Sequence, residues 1–231
     1  MFKQVLADHL ANTRLAHLLQ NIYSSLELSV MGFYNDRSLV QLIKTLSRED
    51  RPILFKPSEL ALIYYFAQSQ QTCSGDYAEV GVYRGSSAKT ICAAKGTKRL
   101  HLFDTFDGLP TSRDIDRRFS PHMFSSSASD VKIRLASYPN IHIYQGIFPA
   151  SAAPVTDKTF AFVHLDVDVF QSTIAALQFF YPRLAPQGIL LTHDYSSAAG
   201  VKKAFDNFFH LKPEPLRRLP MSQCFIIKQP S

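Results

Sequence analysis

Three side chains that could do chemistry follow one another in an apolar run, FVHLDVDVF, at residues 162–170. His164, Asp166 and Asp168 alternate with apolar residues, and alternate residues of a β-strand point to the same face. Charged groups in an apolar strand cost free energy unless another group compensates them. The pattern therefore predicts that this strand holds a ligand or a metal. We interpret His164 as a hydrogen-bonded strand histidine.

A second polar pair, His193 and Asp194, ends the apolar stretch GILLTHDY. The carboxyl ends of adjacent parallel strands meet at one edge of a sheet, so we expect Asp166 to lie beside this pair. Two carboxylates and an imidazole at one point favour a divalent cation, Mg²⁺ or Mn²⁺ in an oxygen-rich site. A hydrogen-bonded polar cluster without a metal explains the same residues equally well.

The stretch EVGVYRGSSA, residues 79–88, reads as a strand, a glycine turn and a helix. Gly81 and Gly85 would let a ligand approach the backbone, and the start of the helix offers N–H groups. The glycine spacing is not that of the dinucleotide fingerprint, which argues against a nicotinamide oxidoreductase. Asp104 ends the next predicted strand, where an acid accepts hydrogen bonds from ribose hydroxyls. Its alternative role is to cap a turn.

Strands alternate with helices from Tyr77 onward, which predicts an α/β fold with a Rossmann-like, doubly wound, mostly parallel sheet. Residues 1–57 are predicted to form an N-terminal helical cap or interface segment, with helices from Phe2 to about Ser24 and from Ser38. Residues 58–231 form the predicted main domain. Residues 107–129 are polar and read as weakly structured, and a loop of that length is usually functional or mobile, so we expect a mobile lid.

Composition narrows the protein class only a little. The chain has 231 residues, a net charge of +6 and a pI of about 9.2, which permits an anionic partner without showing one. The cysteines Cys73, Cys92 and Cys224 have no metal-binding or redox spacing, which fits a reducing compartment. The N-terminus is neither a secretory signal nor a bilayer span, so we expect a soluble cytoplasmic protein.

Five motifs of the chain, taken in order, resemble those of class I S-adenosylmethionine-dependent methyltransferases. They are EVGVYRGSSA, LFDTFDGLP, YQGIFPAS, LDVDVFQSTIAALQFFYPRLAPQGILLTHDYSS and GVKKAFDNFF. More narrowly, the chain resembles the macrocin O-methyltransferase (TylF-type) family over about residues 52–209. The resemblance implies Mg²⁺-dependent methylation of hydroxyl groups, notably on the deoxysugars of macrolides. Residues 58–231 would then be the S-adenosylmethionine-binding methyltransferase domain.

The resemblance also implies roles for individual residues. The predicted cofactor-binding residues are Glu79, Gly81, Tyr83, Arg84, Gly85 and Ser86 for the methionine region, Asp104, Thr105 and Phe106 for the ribose, and Gly146, Ile147 and Phe148 for the adenine. Asp166 matches the acid that binds the metal and takes the hydroxyl proton, and Asp194 matches the second acid of an Asp-Asp-Tyr ending. His193 replaces the first acid of that ending, and we expect Asp168 to support the ligands.

The replacement at His193 leaves three readings open. In the first, a metal that accepts nitrogen, such as Mn²⁺, Fe²⁺, Co²⁺ or Zn²⁺, would gain affinity relative to Mg²⁺. In the second, His193 would act as general base with Asp166. In the third, the metal site is lost. The expected acceptor is a small-molecule hydroxyl, such as a sugar of a secondary metabolite or a glycan precursor. The alternatives are a non-catalytic cofactor-binding protein and a nucleic-acid methyltransferase. We expect no nucleic-acid or membrane partner, and a homodimer at most.

Overall fold

The computed structural model describes residues 14–34, 36–50, 54–110 and 114–230. The chain divides into two compact units, residues 1–61 and residues 62–231. This division falls inside a helix, slightly after the boundary expected at residue 57. The roles assigned to the two parts, cap or interface segment and cofactor-binding domain, stay predictions.

The first unit is helical. Helix α1 spans Arg14–Tyr34 and helix α2 spans Arg37–Glu49, and the two contact each other. Helix α2 begins where the Asp36 carboxylate accepts a hydrogen bond from the Ser38 amide at 2.7 Å, a typical N-cap. It buries Leu39, Val40, Ile43 and Leu46, which recur at helical spacing. The first helix runs well past its expected end at Ser24, because its apolar pattern continues to Tyr34. Residues 2–13 of that prediction lie outside the described residues.

The second unit is built on a seven-stranded sheet in the order β3-β2-β1-β4-β5-β7-β6. The strands are β1 (Asp76–Val80), β2 (Leu100–Asp104), β3 (Ile141–Gln145), β4 (Phe160–Leu165), β5 (Leu184–Thr192), β6 (Arg217–Arg218) and β7 (Cys224–Ile227). Strands β1 to β5 pair in parallel, whereas β7 pairs antiparallel with β5 and with β6. The predicted α/β fold with a doubly wound, mostly parallel sheet is confirmed.

Helices connect the strands in the predicted alternation. They are α3 (Pro57–Ser69), which crosses the division between the units, α4 (Ser86–Ala94), α5 (Ala128–Arg134), α6 (Phe170–Phe180) and α7 (Ala199–Phe209). Short 3₁₀ turns occupy Asp114–Asp116, Ala150–Val155 and Tyr181–Arg183. Within the described residues, no helix combines the length and apolar character needed to cross a bilayer.

The central strand of the sheet is buried from solvent. Every residue of β4 is buried, as expected for a parallel strand covered on both faces. Aromatic rings fill one side of it: Phe180 contacts Phe103, Phe148 and Phe160, with ring centroids 5.0 to 6.3 Å apart. Burying an aromatic side chain of this kind stabilises the fold by about 1.5–3 kcal/mol. This aromatic core thus packs against β2 and β4.

The predicted strand at residues 162–170 is shorter than its pattern indicated. Strand β4 ends at Leu165, and Asp168 has a positive φ of 59° in the turn that leads to α6. The chain must reverse between β4 and α6, so the alternation of side chains does not continue to Asp168. The expectation that His164, Asp166 and Asp168 share one strand face is therefore wrong.

Candidate active site

The carboxyl ends of β4 and β5 bring a histidine and two carboxylates together. The two strands are parallel neighbours, with Leu165 opposite Thr192, and the His193 amide donates to the Leu165 carbonyl at 2.9 Å. The Nδ1 atom of His193 lies 3.2 Å from Oδ1 of Asp166 and 3.1 Å from Oδ2 of Asp194. The convergence predicted from the two motifs is present, because both groups directly follow paired strand ends.

Local structure holds Asp194 in place. Its φ is 60°, and its carbonyl accepts hydrogen bonds from the amides of Ser197 at 3.2 Å and Ala198 at 2.8 Å. Its Oδ1 atom accepts a hydrogen bond from the Ser197 hydroxyl, and Asp168 forms a side-chain hydrogen bond with it. Ser197 is not among the site residues predicted from the sequence. The signal that points to it is the ending HDYSS, whose Asp and Ser residues are typical of turns.

The ionisable side chains of this cluster shift one another's pKa. Burial by itself opposes a charge on His193, but the carboxylates of Asp166 and Asp194 outweigh burial and raise the pKa of His193 well above its usual value. Burial by itself would raise the pKa of Asp194, yet His193 and Ser197 lower it. Burial and the neighbouring carboxylates raise the pKa of Asp168. Without a bound ion, these shifts favour a charged imidazole on His193, a carboxylate on Asp194 and a protonated Asp168.

The donor set fits a divalent cation. Among the described residues, Asp166, His193 and Asp194 form a group whose ligand atoms all lie within 4.8 Å of one another. Two carboxylate oxygens and one imidazole nitrogen suit Mn²⁺, Fe²⁺, Co²⁺ or Zn²⁺ better than Mg²⁺, which prefers oxygen. A metal that uses Nδ1 must first displace the proton from His193, so binding would release a proton.

Beneath this cluster lies a fully buried acid–imidazole pair. Glu79 on β1 is opposite His164 on β4, and Oε1 of Glu79 lies 2.8 Å from Nδ1 of His164, with neither side chain exposed. Burial raises the pKa of Glu79 well above its usual value, although a hydrogen bond from Ser87 opposes this. Burial also lowers the pKa of His164 to about 4. Both shifts favour the uncharged forms, a carboxylic acid bonded to a neutral imidazole.

This pair bears on two interpretations from the sequence. His164 is the hydrogen-bonded strand histidine that we inferred. Glu79 was expected to contact the cofactor, but its side chain is completely buried against His164 and joins β1 to β4. Its contact with the cofactor stays a prediction.

The structural reason for Gly81 differs from the one inferred. Its φ is 86°, and a Cβ atom there would lie 1.8 Å from the carbonyl oxygen of Asp166. The Asp166 amide also donates to the Val80 carbonyl at 2.9 Å. The protein's own backbone, rather than a ligand, therefore requires a glycine at this position. Gly85, also at φ 86°, precedes the first residue of α4 as its N-cap.

Asp104 organises the glycine turn. Its Oδ2 atom accepts hydrogen bonds from the amides of Val82 at 2.7 Å and Tyr83 at 2.8 Å, and its Oδ1 atom accepts one from the Phe106 amide at 2.7 Å. The turn-capping role that the sequence left open is therefore real. A carboxylate has about four acceptor sites, so one remains for a ligand. The ribose contact stays a prediction.

The other predicted cofactor residues lie at the ends of β1, β2 and β3, which are adjacent in the sheet. Ser86 begins α4, the Thr105 hydroxyl donates to the Gly108 carbonyl at 2.9 Å, and the Gly146 amide donates to the Asp104 carbonyl at 2.9 Å. Ile147 is 69% exposed. Two further residues are already engaged within the protein: Phe148 stacks on Phe180, and the Arg84 guanidinium lies 5.0 Å from the centre of the Tyr83 ring.

The described parts of the segment 107–129 are ordered against this edge. Leu109 exchanges backbone hydrogen bonds with Met123 and His122, and the Ser126 hydroxyl donates to the Tyr83 carbonyl at 2.7 Å. Phe119 is buried in the core. The description of this segment as weakly structured is wrong for these residues, because one apolar ring and several backbone pairs hold it. Its mobility as a lid stays a prediction.

Known proteins provide an independent comparison. A family model described as macrocin-O-methyltransferase (TylF) matches residues 66–224. The 8-demethyl-8-(2,3-dimethoxy-alpha-L-rhamnosyl)-tetracenomycin-C 4'-O-methyltransferase of Streptomyces olivaceus is 27% identical over 139 residues, which are 53% of this chain and 53% of that protein. The demethyldecarbamoylnovobiocin O-methyltransferase of Streptomyces niveus is 25% identical over 154 residues, 58% of each chain. The matched region thus spans little more than half the length of these relatives.

A solved structure, that of the O-methyltransferase NovP, has the same fold. It aligns with a TM-score of 0.71 and 20% sequence identity, covering 90% of this chain and 100% of that chain. At this identity the likeness bears on the fold alone. The family model, by contrast, matches well over half of the sequence, and the motifs at the site lie within it. The chain therefore belongs to the macrocin O-methyltransferase family.

Proposed function

We propose that this protein transfers a methyl group from S-adenosylmethionine to a hydroxyl group of a small molecule, with the help of a divalent cation. The observation that carries this proposal is the convergence of Asp166, His193 and Asp194 at the sheet edge that also presents the glycine turn. By analogy with the two curated relatives, whose names describe O-methylation of a rhamnosyl-tetracenomycin and of a demethyldecarbamoylnovobiocin, the acceptor is a sugar of a secondary metabolite or a glycan precursor.

The cofactor would lie along the ends of β1, β2 and β3. The turn at residues 83–86, the segment 104–106 and the segment 146–148 would contact its methionine, ribose and adenine parts in that order. Asp104 supports this assignment, because its three backbone hydrogen bonds fix the turn and leave one acceptor site. A turn that is already fixed does not have to be ordered when the ligand binds, which favours affinity.

Asp166, His193 and Asp194 would hold the cation. A bound divalent ion lowers the pKa of the acceptor hydroxyl. The transfer breaks the bond between the methyl carbon and the sulfonium sulfur, forms a bond from that carbon to the acceptor oxygen, and releases the hydroxyl proton. With its Nδ1 atom committed to the cation, His193 would not accept this proton there, so Asp166 would take it. Asp194, 3.1 Å from the same nitrogen, would keep His193 in place.

The test is isothermal titration of S-adenosylmethionine and S-adenosylhomocysteine into metal-stripped protein, repeated with Mn²⁺ and Mg²⁺. We expect cofactor binding without metal, and a separate metal signal that Asp194→Ala abolishes without loss of cofactor binding. Cofactor binding without any metal signal would exclude the metal-assisted form. An absence of cofactor binding would reject the proposed function as a whole.

A non-catalytic cofactor-binding protein is the second candidate. One observation favours it: His193 lies 3.2 Å from Asp166 and 3.1 Å from Asp194, so each carboxylate has a partner within the protein without a metal. This candidate predicts normal cofactor binding but no methyl transfer from labelled S-adenosylmethionine to any sugar or phenol offered, with or without Mn²⁺. Transfer to a single acceptor, lost in Asp166→Ala, would exclude it.

The remaining assignments concern partners and location. Helix α1 exposes Ile22, Leu26, Val30 and Phe33 at helical spacing, which supports a homodimer through this helix. Sedimentation of the full chain and of a Leu26→Glu variant tests it, with a monomer expected for the variant. No nucleic-acid partner is proposed, and the cytoplasmic location stays a prediction.

A further inference from the structure

A buried carboxylate that the proposed chemistry does not use lies between the first turns of two helices. Asp116 is 3% exposed, and its Oδ2 atom accepts a hydrogen bond from the amide of Phe170 at 3.0 Å. Phe170 is the first residue of α6, so its amide has no carbonyl partner within that helix. A carboxylate at a helix N-terminus is favoured by the helix dipole. Asp116 therefore caps α6 from a segment distant in sequence.

The same carboxylate touches the start of α7. A Cβ atom built on Gly200, in the first turn of that helix, would lie 1.9 Å from Oδ1 of Asp116 and 2.9 Å from the Phe170 amide nitrogen. Gly200 has a helical backbone, so its conformation does not demand glycine. Glycine is required there only because the Asp116 carboxylate occupies the space where a Cβ atom would lie. The carboxylate thus fills the gap between the N-termini of α6 and α7.

These two helices begin directly after the two loops that carry the candidate metal ligands. The loop from β4 to α6 carries Asp166, and the loop from β5 to α7 carries His193 and Asp194. A neighbouring contact reaches the second loop as well: Arg118 donates to the Ser197 carbonyl at 2.6 Å, and the Ser197 hydroxyl donates to Asp194. The residues around Asp116 therefore contact both loops.

We propose that Asp116 is a positioning residue that fixes the separation of the loop carrying Asp166 from the loop carrying His193 and Asp194. The cluster needs this separation to be exact, since His193 contacts a carboxylate from each loop at 3.1 to 3.2 Å. The pairing of β4 with β5 fixes the distance between the two loops where they begin. Asp116, which contacts the first turns of α6 and α7, fixes it where they end. The consequence for metal binding and transfer rests on the proposed function, whereas the positioning itself does not.

The primary test is hydrogen exchange on the full chain without metal, comparing the wild type with Asp116→Ala. The Phe170 amide is the direct reporter, because its hydrogen bond goes to Asp116. Loss of a buried hydrogen bond of this kind should speed exchange at residues 166–172 and 193–201 by about tenfold or more. Exchange at residues 79–90, in the glycine turn and α4, should not change.

Two further variants separate positioning from general stability. Gly200→Ala should reproduce the exchange pattern of Asp116→Ala, since its methyl group would displace the carboxylate, and the two effects should not add in the double variant. Glu214→Gln is the matched control, because Glu214 is also a buried carboxylate, bonded to Tyr181 at 2.7 Å and Lys228 at 3.1 Å. Glu214→Gln should leave hydrogen exchange unchanged in the loop from β4 to α6 and in the loop from β5 to α7. Gly200→Ala carries the test alone if Asp116→Ala does not fold.

Unchanged exchange at both site loops in Asp116→Ala, or the same pattern in Glu214→Gln, would overturn the proposal. Titration with Mn²⁺ adds the functional readout: Mn²⁺ affinity should fall about tenfold in Asp116→Ala, while S-adenosylmethionine affinity stays within about twofold of the wild type. A wild type that binds no Mn²⁺ would reject the metal-assisted function, and the exchange result would still decide the role of Asp116.

Discussion

Glu79 and His164 face each other across β1 and β4, with Oε1 2.8 Å from Nδ1 and no exposure of either side chain. The pKa of the acid is raised and that of the imidazole is lowered to about 4, so both shifts favour an uncharged hydrogen bond between the two strands that lead to the candidate site. Next to the carboxylates of that site, a further buried charge would be costly.

Substitution of this pair tests its protonation state. His164→Leu leaves the buried acid without its partner, so the free energy of unfolding should fall by about 1–3 kcal/mol. Glu79→Gln should cost clearly less, because an amide N–H can donate to the neutral imidazole as the carboxylic acid does. Urea denaturation at pH 7 measures both. An equal loss in the two variants would instead indicate an ion pair.

The same pair predicts a pH dependence. A raised pKa for Glu79 means that the folded protein binds more protons above pH 4.5, so this group's contribution to stability falls as the pH rises. A pKa of about 4 for His164 means that the unfolded chain binds more protons between pH 4 and 6.5, so that contribution is lost as the pH falls. The two slopes oppose each other above pH 4.5, and the His164 slope ends near pH 6.5.

The measurement is the difference in unfolding free energy between the wild type and Glu79→Gln from pH 4.5 to pH 8. The wild type should lose stability relative to Glu79→Gln as the pH rises above 4.5, until the folded-state pKa of Glu79 is passed, because the variant lacks the titrating acid. A difference that does not change with pH would show that the pKa of Glu79 is the same in both states.

Gly81→Ala should disrupt both the fold and the site. Its methyl group would meet the Asp166 carbonyl oxygen at 1.8 Å, in a backbone conformation that alanine disfavours. We expect a loss of about 2 kcal/mol or more in stability and loss of Mn²⁺ binding. Gly85→Ala is the matched control: it has the same φ of 86°, but its nearest contact is a Val131 methyl carbon at 3.5 Å. Thermal melts and Mn²⁺ titration of both variants make the comparison, and equal effects would contradict the close approach to Asp166.

His193→Asp tests the choice of metal. An added carboxylate replaces nitrogen with oxygen and adds negative charge, so Mg²⁺ affinity should rise by about tenfold and the preference for Mn²⁺ or Co²⁺ should shrink. His193→Asn is the control, since it supplies an oxygen without the charge. Calorimetric titration of each metal into the three proteins provides the comparison. Unchanged Mg²⁺ affinity in His193→Asp would mean that this position does not contact the metal.

The sequence by itself determined the order of the main elements. Apolar alternation and turn residues are local signals, so strands β1 to β5 and β7 and the helices between them could be predicted along the chain, whereas the two-residue strand β6 could not. The approach of Asp166 to His193 could be predicted as well, because parallel neighbours end at the same edge. The end of β4 at Leu165 could not, since the apolar pattern continues past the point where the chain turns.

Only the tertiary structure decided what each special residue contacts. The backbone of Asp166 lies against Gly81, the carboxylate of Asp116 lies against Gly200, and Glu79 turns to His164. Each of these contacts joins segments far apart in the chain, and it depends on strand order and register. A glycine, or an acid within an apolar stretch, indicates that the position has a specific packing partner. Which residue that partner is depends on the packing of the whole domain.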